Sequence, residues 1–386
     1  MDLSVIQSPG TGLNTEPRSP RFRDTVPAAK AAPVIRLLAD ATQARSCFFR
    51  SGPAGDGRKA LVQITERCDL HCAHCFVSSV HEGLDMDLVA FRELVVPRLA
   101  AARVARVTLT GGEPFAHADL LEFCTAAVAA DMAVGVCTNA TAITDEHISY
   151  LSTLGGVHMN VSIDGFSSAS HGKFRGKPGS FEATLATTRK LADAGLLQGI
   201  LSTPSRLTDP HEYRRLAEFA AEIGAEYLLM NPLSGFGRGV KSQARLGAEA
   251  DRMQAVSEQA SDGAGSQLEL VPIRFPNRDR PLAHCVAGDI VYVFTKGAVA
   301  VCPYLVFAAR TPRSRYGDDA FLIGNILEDE ISEALDDYVF RARFSVGTNH
   351  ECESCVLTGS CGKGCPAAVV AAGGRIGDRD VEVCPV

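Results

Sequence analysis

Three thiols fall within eight residues at Cys68, Cys72 and Cys75, a C-x3-C-x2-C array inside "ERCDLHCAHCFVSS" (66–79). Thiolates spaced this way in one loop can converge on a single metal centre. On a four-iron cluster, three protein ligands leave one iron open to bind a substrate or cofactor directly. Zinc is the competing reading, with His71 or His74 as a fourth ligand. Structural zinc sites usually pair a C-x2-C unit with a distant second pair, so the spacing favours iron and sulfur.

A second stretch, "TGGEPF" (110–115), carries polar chemistry of another kind. Gly111 and Gly112 at the end of a strand let the backbone come close to a ligand. The Glu113 carboxylate suits a ligand ammonium better than any neutral side chain would. Asn139 follows "GVCT" and reads equally as a turn residue or as part of a ligand site. Ser162 and Arg175 lie in "NVSIDGFSSASHGKFRGKPGSF" (160–181), and Ser202 ends a later apolar run. Arginine presents donors in a fork that matches a carboxylate. The bland readings are a strand-face serine and an arginine solvated beside Lys173 and Lys177.

Seven more cysteines crowd the C-terminal third. Cys285 and Cys302 bracket Gly297, then come Cys352, Cys355, Cys361 and Cys365 with C-x2-C-x5-C-x3-C spacing, and finally Cys384. A zinc ribbon would account for two C-x2-C units but not for seven cysteines in this arrangement. Cys124 and Cys137 read as small buried hydrophobes within a helix and a strand. Cys47 carries no assignment.

The elements that must position these residues follow a rhythm. Apolar, β-branched runs at 60–66, 105–111, 132–138, 157–164, 196–203 and 225–231 alternate with helical periods such as "DMDLVAFRELVVPRLAAA" and "PHEYRRLAEFAAEIG". Such runs fit buried parallel strands. Alternating strand and helix predicts a parallel α/β sheet with right-handed crossovers, here six units long and able to close into a partial (β/α)6 barrel. Cys68, Gly111–Glu113, Asn139, Asp164 and Ser202 all fall just after strands, where barrel enzymes build their chemistry.

Around that core, residues 1–25 are rich in Ser, Pro, Gly and Arg and read as a disordered tail, and 26–57 as a helix and hairpin. The barrel is expected over 58–240, a linker around a helix over 241–270, and a cysteine-dense domain over 271–386.

Bulk properties narrow the function classes. The chain has 386 residues, 46% of them hydrophobic, with a net charge of −7. That excess of acid gives no general affinity for nucleic acid or an anionic membrane. No apolar run approaches membrane-spanning length, and the N-terminus lacks an apolar signal core, so a cytoplasmic location is expected. In a reducing compartment 13 cysteines argue for metal or redox chemistry rather than disulfides.

With the Cys68–Cys75 array after the first strand and Gly-Gly-Glu after the second, the chain resembles the radical S-adenosylmethionine (radical SAM) enzymes. His74 stands where that family often has an aromatic residue. The resemblance implies a cluster whose open iron is chelated by SAM, cleavage of SAM to methionine and a 5′-deoxyadenosyl radical, and hydrogen abstraction from a substrate. It implies that Gly111, Gly112 and Glu113 meet the SAM ammonium, Ser162 and Arg175 its carboxylate, Ser202 its ribose, and Asn139 its adenosine. The C-terminal layout resembles the SPASM domain, which carries two auxiliary four-iron clusters, giving three [4Fe-4S] clusters in all. By that likeness Cys352, Cys355, Cys361 and Cys384 hold an outer cluster. Cys285, Cys302 and Cys365 hold an inner one, either with an open iron or with a ligand such as His284 or Asp279.

The same resemblance implies an electron donor such as flavodoxin or ferredoxin. Enzymes of this layout most often modify peptides. Sulfatase-maturing members place an acid directly after the second SPASM cysteine, and here that residue is Pro303, followed by Tyr304. About sixty residues precede the first array, too few for the leader-binding domain many peptide maturases carry, so leader recognition would need a separate protein or would not occur. The leading expectation is a maturase that crosslinks or otherwise modifies a ribosomally made peptide. The alternative is a decarboxylase, dehydrogenase or epimerase acting on a sugar or nucleoside intermediate. An electron carrier or scaffold would explain the cysteines but not the Gly-Gly-Glu and Ser/Arg positions. No general base is assigned; Asp69, Asp164, Tyr304 and Asp378 are positional candidates.

Overall fold

A computed structural model describes residues 57–276, 280–346 and 349–386; the expected tail, the N-terminal helix and hairpin, Cys47 and Asp279 lie outside these. Six parallel strands occupy the expected places: β1 (Arg58–Thr65), β2 (Val104–Gly111), β3 (Ala133–Thr138), β4 (Val157–Ser162), β5 (Leu197–Ser202) and β6 (Tyr227–Met230). Each pairs in parallel with the next. Helices cross between them over Leu120–Ala129, Asp145–Leu154, Ser180–Asp193 and Pro210–Glu222. Alternation sorts β1 cleanly: Ala60, Val62 and Ile64 pack outward under the helices, while Leu61 joins the apolar cluster shared with the C-terminal module.

The first crossover helix is interrupted. Leu88–Ala90 and Val96–Ala101 are α-helical, and Phe91–Val95 between them is a π turn in which Val96 donates to the Phe91 carbonyl. Pro97 is the cause. It offers no N–H to the preceding turn and its ring crowds the carbonyl four residues back, so the helix widens by one residue rather than breaking.

The sheet runs further at both ends, in the order β10-β9-β8-β1-β2-β3-β4-β5-β6-β7. The 235–270 stretch holds helices Gly239–Leu246 and Ala250–Ala264 and leads into β7 (Glu269–Pro272), a parallel partner of β6. At the opposite edge β8 (Ile290–Val293) pairs in parallel with β1, matching Lys59 with Ile290 and Val62 with Val293. β9 (Ala298–Ala300) and β10 (Leu322–Asn325) then continue antiparallel. The C-terminal module is thus hydrogen-bonded into the barrel's own sheet. Tyr292 of β8 donates to Gln63 of β1 at 3.2 Å, and its ring meets Phe294 and Phe307 in the second apolar cluster.

The barrel floor is polar and closed. Arg106, fully buried, donates to Gln198 at 3.0 Å, and Tyr227 bonds to Asn160. Gly135 leaves the space that the Arg106 guanidinium fills, and Gly199 the space filled by the Tyr227 ring. With the floor sealed, the remaining opening lies at the strands' C-terminal ends. No described helix is long and apolar enough to cross a membrane.

Candidate active site

The loop after β1 is strapped to the barrel on three sides. From β2, Gly112 donates to the Thr65 carbonyl at 2.9 Å and Glu113 to the Arg67 carbonyl at 2.8 Å. The two glycines make this approach possible. A Cβ on Gly111, whose φ is +135°, would sit 2.1 Å from the Thr65 oxygen, and one on Gly112 would sit 1.9 Å from the Arg67 oxygen. From the segment after β4, Ala73 donates to the Phe174 carbonyl at 2.9 Å, and Gly176 lies against the His71 carbonyl at φ +74°. From the turn after β6, Arg238 donates through Nε to the Cys72 carbonyl at 2.8 Å and through Nη1 to the Ser79 carbonyl at 2.6 Å. Its backbone N–H donates to the Cys75 carbonyl at 3.0 Å.

Asp69 closes the same loop from above. Its carboxylate accepts from Asn139 Nδ2 at 2.9 Å, Thr141 Oγ1 at 2.8 Å and Lys177 Nζ at 2.9 Å. Burial alone would raise its pKa, but these donors and the Lys177 charge hold it below the usual carboxylate range. Among the positional candidates for a base, Asp69 is therefore a latch between two cysteines. Asp164 is likewise committed: it is 1% exposed and takes Arg175 Nε at 2.7 Å and the Thr203 N–H at 2.6 Å. Burial opposes its charge, yet the Arg175 guanidinium wins and its pKa falls. Asp378 caps a terminal turn by accepting from the Arg375 N–H at 2.7 Å.

These straps deliver the expected residues to one cavity of about 1210 Å³, counting the space open to solvent at its mouth. Its lining includes Cys68, Cys72 and Cys75, Gly111 to Glu113, Asn139, Ser162, Arg175 and Ser202. Arg175 is almost buried, with Nη1 3.9 Å from Cys72 Sγ. Burial works against its charge, but Asp164 outweighs that and the pKa rises. Glu113 is buried and its oxygens accept from Thr138 Oγ1 at 2.7 Å, the Asn139 N–H at 2.7 Å and the Phe115 N–H at 3.2 Å. Desolvation still outweighs those bonds and lifts its pKa to about 7. Much of its capacity thus holds the β3 loop in place. The Asn139 side chain is spent on Asp69 and Thr141, and the Ser202 hydroxyl pairs with Tyr213 Oη at 2.9 Å. Cys137 lines the cavity too, although the strand pattern reads it as a core hydrophobe.

The donor set fits a cluster better than a single ion. A mononuclear zinc site would need a fourth ligand beside the three thiols, and the nearby histidines are poorly placed to supply it. A four-iron cube takes its thiolates at separate corners. His71 is exposed, and His74 stacks on Phe174 at 4.5 Å, with burial pushing its pKa down to about 4. Burial raises the Cys68 thiol to about 12 and Cys72 to about 11. A metal cation at these sulfurs would favour their thiolate form.

In the C-terminal module Cys352, Cys355, Cys361 and Cys384 surround one small cavity. Cys285, Cys302 and Cys365 form a separate group, close enough that burial first, then Cys285 and Cys365, push the Cys302 thiol upward. His284 is exposed and its Nδ1 pairs with Arg341 at 2.7 Å. Tyr304 lines the large cavity and also the pocket reaching Cys365, and Asn231 Nδ2 donates to its hydroxyl at 3.1 Å. Sequence reading found neither Arg238 nor the Asp69 latch. The Gly-Arg pair at 237–238 inside a polar stretch was the available signal.

Residues 62–220 match the Radical SAM superfamily. The antilisterial bacteriocin subtilosin biosynthesis protein AlbA of Bacillus subtilis (strain 168) is 27% identical over 272 residues, 70% of this chain but 57% of AlbA. The chain thus spans less than two thirds of that relative. Mycofactocin maturase MftC of Mycobacterium tuberculosis (strain ATCC 25618 / H37Rv) is 28% identical over 317 residues, 79% of this chain and 77% of MftC. Among solved structures, Streptococcus suis SuiB bound to S-adenosylmethionine superposes with a TM-score of 0.67 at 15% identity, covering 84% of this chain and 76% of SuiB. SuiB has also been solved bound to its precursor peptide SuiA. At that identity the likeness establishes a shared fold.

Proposed function

We propose, from the premise that residues 62–220 are a radical SAM domain, that this protein modifies a ribosomally made peptide by abstracting a hydrogen from it. The domain's family binds a 4Fe-4S cluster and SAM. When bound, these supply a low-potential electron and a hydrogen-abstracting radical. Cys68, Cys72 and Cys75 hold the cluster. The observation that carries this reading is their meeting in one cavity with the Gly-Gly-Glu turn and the Arg175 fork.

The chain's own groups divide the remaining work. Arg175, fixed through Nε by Asp164 and with Nη1 toward Cys72 Sγ, keeps Nη2 for the SAM carboxylate. Ser162 lies beside it. Gly111 and Gly112 bring carbonyls to the cavity wall, and Glu113 offers its remaining lone pairs to the SAM ammonium. Asn139 and Ser202 shape the adenosine and ribose side through backbone and packing, since their side chains are already bonded. The sealed barrel floor excludes water from below. Cys352, Cys355, Cys361 and Cys384 hold an outer auxiliary cluster and Cys285, Cys302 and Cys365 an inner one, with a small electron-transfer protein as donor. The peptide substrate is supported by the names of AlbA, a bacteriocin biosynthesis protein, and MftC, a maturase.

The test is anaerobic reconstitution followed by reaction with a candidate precursor peptide deuterated in its core region. Deuterium appearing in 5′-deoxyadenosine, together with a mass loss in the peptide, supports the reading. A parent protein whose iron content is unchanged by Cys68→Ala, Cys72→Ala and Cys75→Ala, or that never cleaves SAM under strong reductant, would sink it.

A further inference from the structure

Arg238 belongs to no motif that the first cysteine array or the C-terminal field defines, yet it gathers three carbonyl oxygens of the cysteine loop. Its Nε takes the Cys72 carbonyl, its Nη1 the Ser79 carbonyl and its backbone N–H the Cys75 carbonyl. The two side-chain bonds span residues 72–79, so Cys75 sits inside a ring closed by one guanidinium. Gly237 is part of the device. At φ +50° it lies where a Cβ would stand 2.4 Å from the Phe76 oxygen and 2.5 Å from the Cys75 oxygen. Only glycine lets the backbone at 238 come near enough to donate to Cys75.

One further observation turns this from loop packing toward the bound group. The remaining nitrogen, Nη2, is buried and bonds to nothing in the protein, leaving a charge-assisted donor in reserve beside the loop. Three carbonyl dipoles with their negative ends free would resist adding an electron at this loop. A permanent cation drawing two of them to itself, with its own backbone N–H holding the third, favours it.

We propose that Arg238 is a positioning residue for the first cluster, holding the loop on either side of Cys75 through its fork, and that its charge biases that cluster toward the reduced state. This inference rests on the reading that Cys68, Cys72 and Cys75 hold a cluster.

The experiment compares Arg238→Gln and Arg238→Lys with the parent as reconstituted holoprotein, using a dithionite titration followed by EPR. Arg238→Gln is expected to shift the first cluster's oxidised-to-reduced ratio about tenfold toward oxidised at a given potential, equal to about 59 mV for one electron. Signals from the C-terminal cysteines stay unchanged and report folding. Arg238→Lys keeps a charge but not the fork. It should recover most of the potential while the first cluster's EPR lines stay broadened and its iron is lost faster to a chelator. Unaltered potential, line shape and chelation rate in both variants would overturn the proposal. So would equal shifts at all centres, which would mark a general loss of structure. If the parent protein shows no cluster sensitive to Cys68→Ala, the underlying assignment fails instead, and the two failures are distinguishable.

Discussion

Gly112→Ala puts the geometry of the cysteine loop to a direct test. The added methyl would begin 1.9 Å from the Arg67 oxygen, 2.5 Å from the Arg67 carbonyl carbon and 3.0 Å from the Glu66 oxygen. All three are backbone atoms, so no side chain can swing aside. Reaching the ~3.5 Å of ordinary contact forces the chain at Arg67 back by more than about 1 Å. That movement breaks the Glu113 N–H bond to Arg67, worth about 1 kcal/mol net, and strands a buried donor at a further 1–3 kcal/mol or so. Cys68 is the next residue and must move with it. A misplacement of about 1 Å costs on the order of 100-fold in a reaction that depends on position. The variant should therefore lose roughly 2–4 kcal/mol of stability, bind less iron at the first site only, and cleave SAM about 100-fold more slowly. Iron and sulfide quantification with chromatographic measurement of 5′-deoxyadenosine reads this out. Gly179→Ala is the control: it has nothing within 4 Å of its Cβ and a φ of +80°, so it should cost only about 1–2 kcal/mol of strain and no iron. Full iron loading and near-parental SAM cleavage in Gly112→Ala would refute the argument that close backbone approach sets the position of Cys68.

Three other outcomes follow from the same site. Glu113 has its pKa raised from 4.5 to about 7 by burial, so the folded state holds this proton more tightly than the unfolded one. Stability from this group is fully present below pH 4.5 and declines by about 3 kcal/mol as pH rises to 7; in cluster-free protein, denaturant unfolding of Glu113→Gln should lack that slope, and identical slopes would count against it. Arg175→Ala leaves Asp164 buried without its cation and should cost about 3–5 kcal/mol, whereas Arg175→Lys should fold but bind SAM at least about tenfold more weakly for want of the fork, as equilibrium dialysis would show. Cys355→Ala and Cys302→Ala should each remove the iron of a different auxiliary centre, and Mössbauer spectra showing the same loss in both would overturn the division into two groups.

The parallel strands and their order were legible because each is a short apolar run buried on both sides, and the runs sit within a residue or two of β1 to β6. The barrel-mouth residues were legible too, since strand ends are where such chemistry gathers. What escaped reading shares one property: it depends on partners far apart in the chain. The Arg238 clasp joins positions 166 and 159 residues apart, and the Asp69 latch joins positions 70, 72 and 108 apart. No local period encodes either. Glu113 was read as a ligand group from its motif, while three donors from the chain already hold it. The C-terminal third was read as a cysteine-dense domain, and nothing in "DIVYVF" says that it lies beside β1 in parallel.

That pairing of β8 with β1 has a mechanical meaning. Two bodies joined by a tether can close around whatever arrives between them. Here a ladder of backbone hydrogen bonds joins the cysteine-rich third to the first stave of the barrel, so the interval between the two sets of sulfurs is fixed when the chain folds. A guest entering that interval has to bend to suit it.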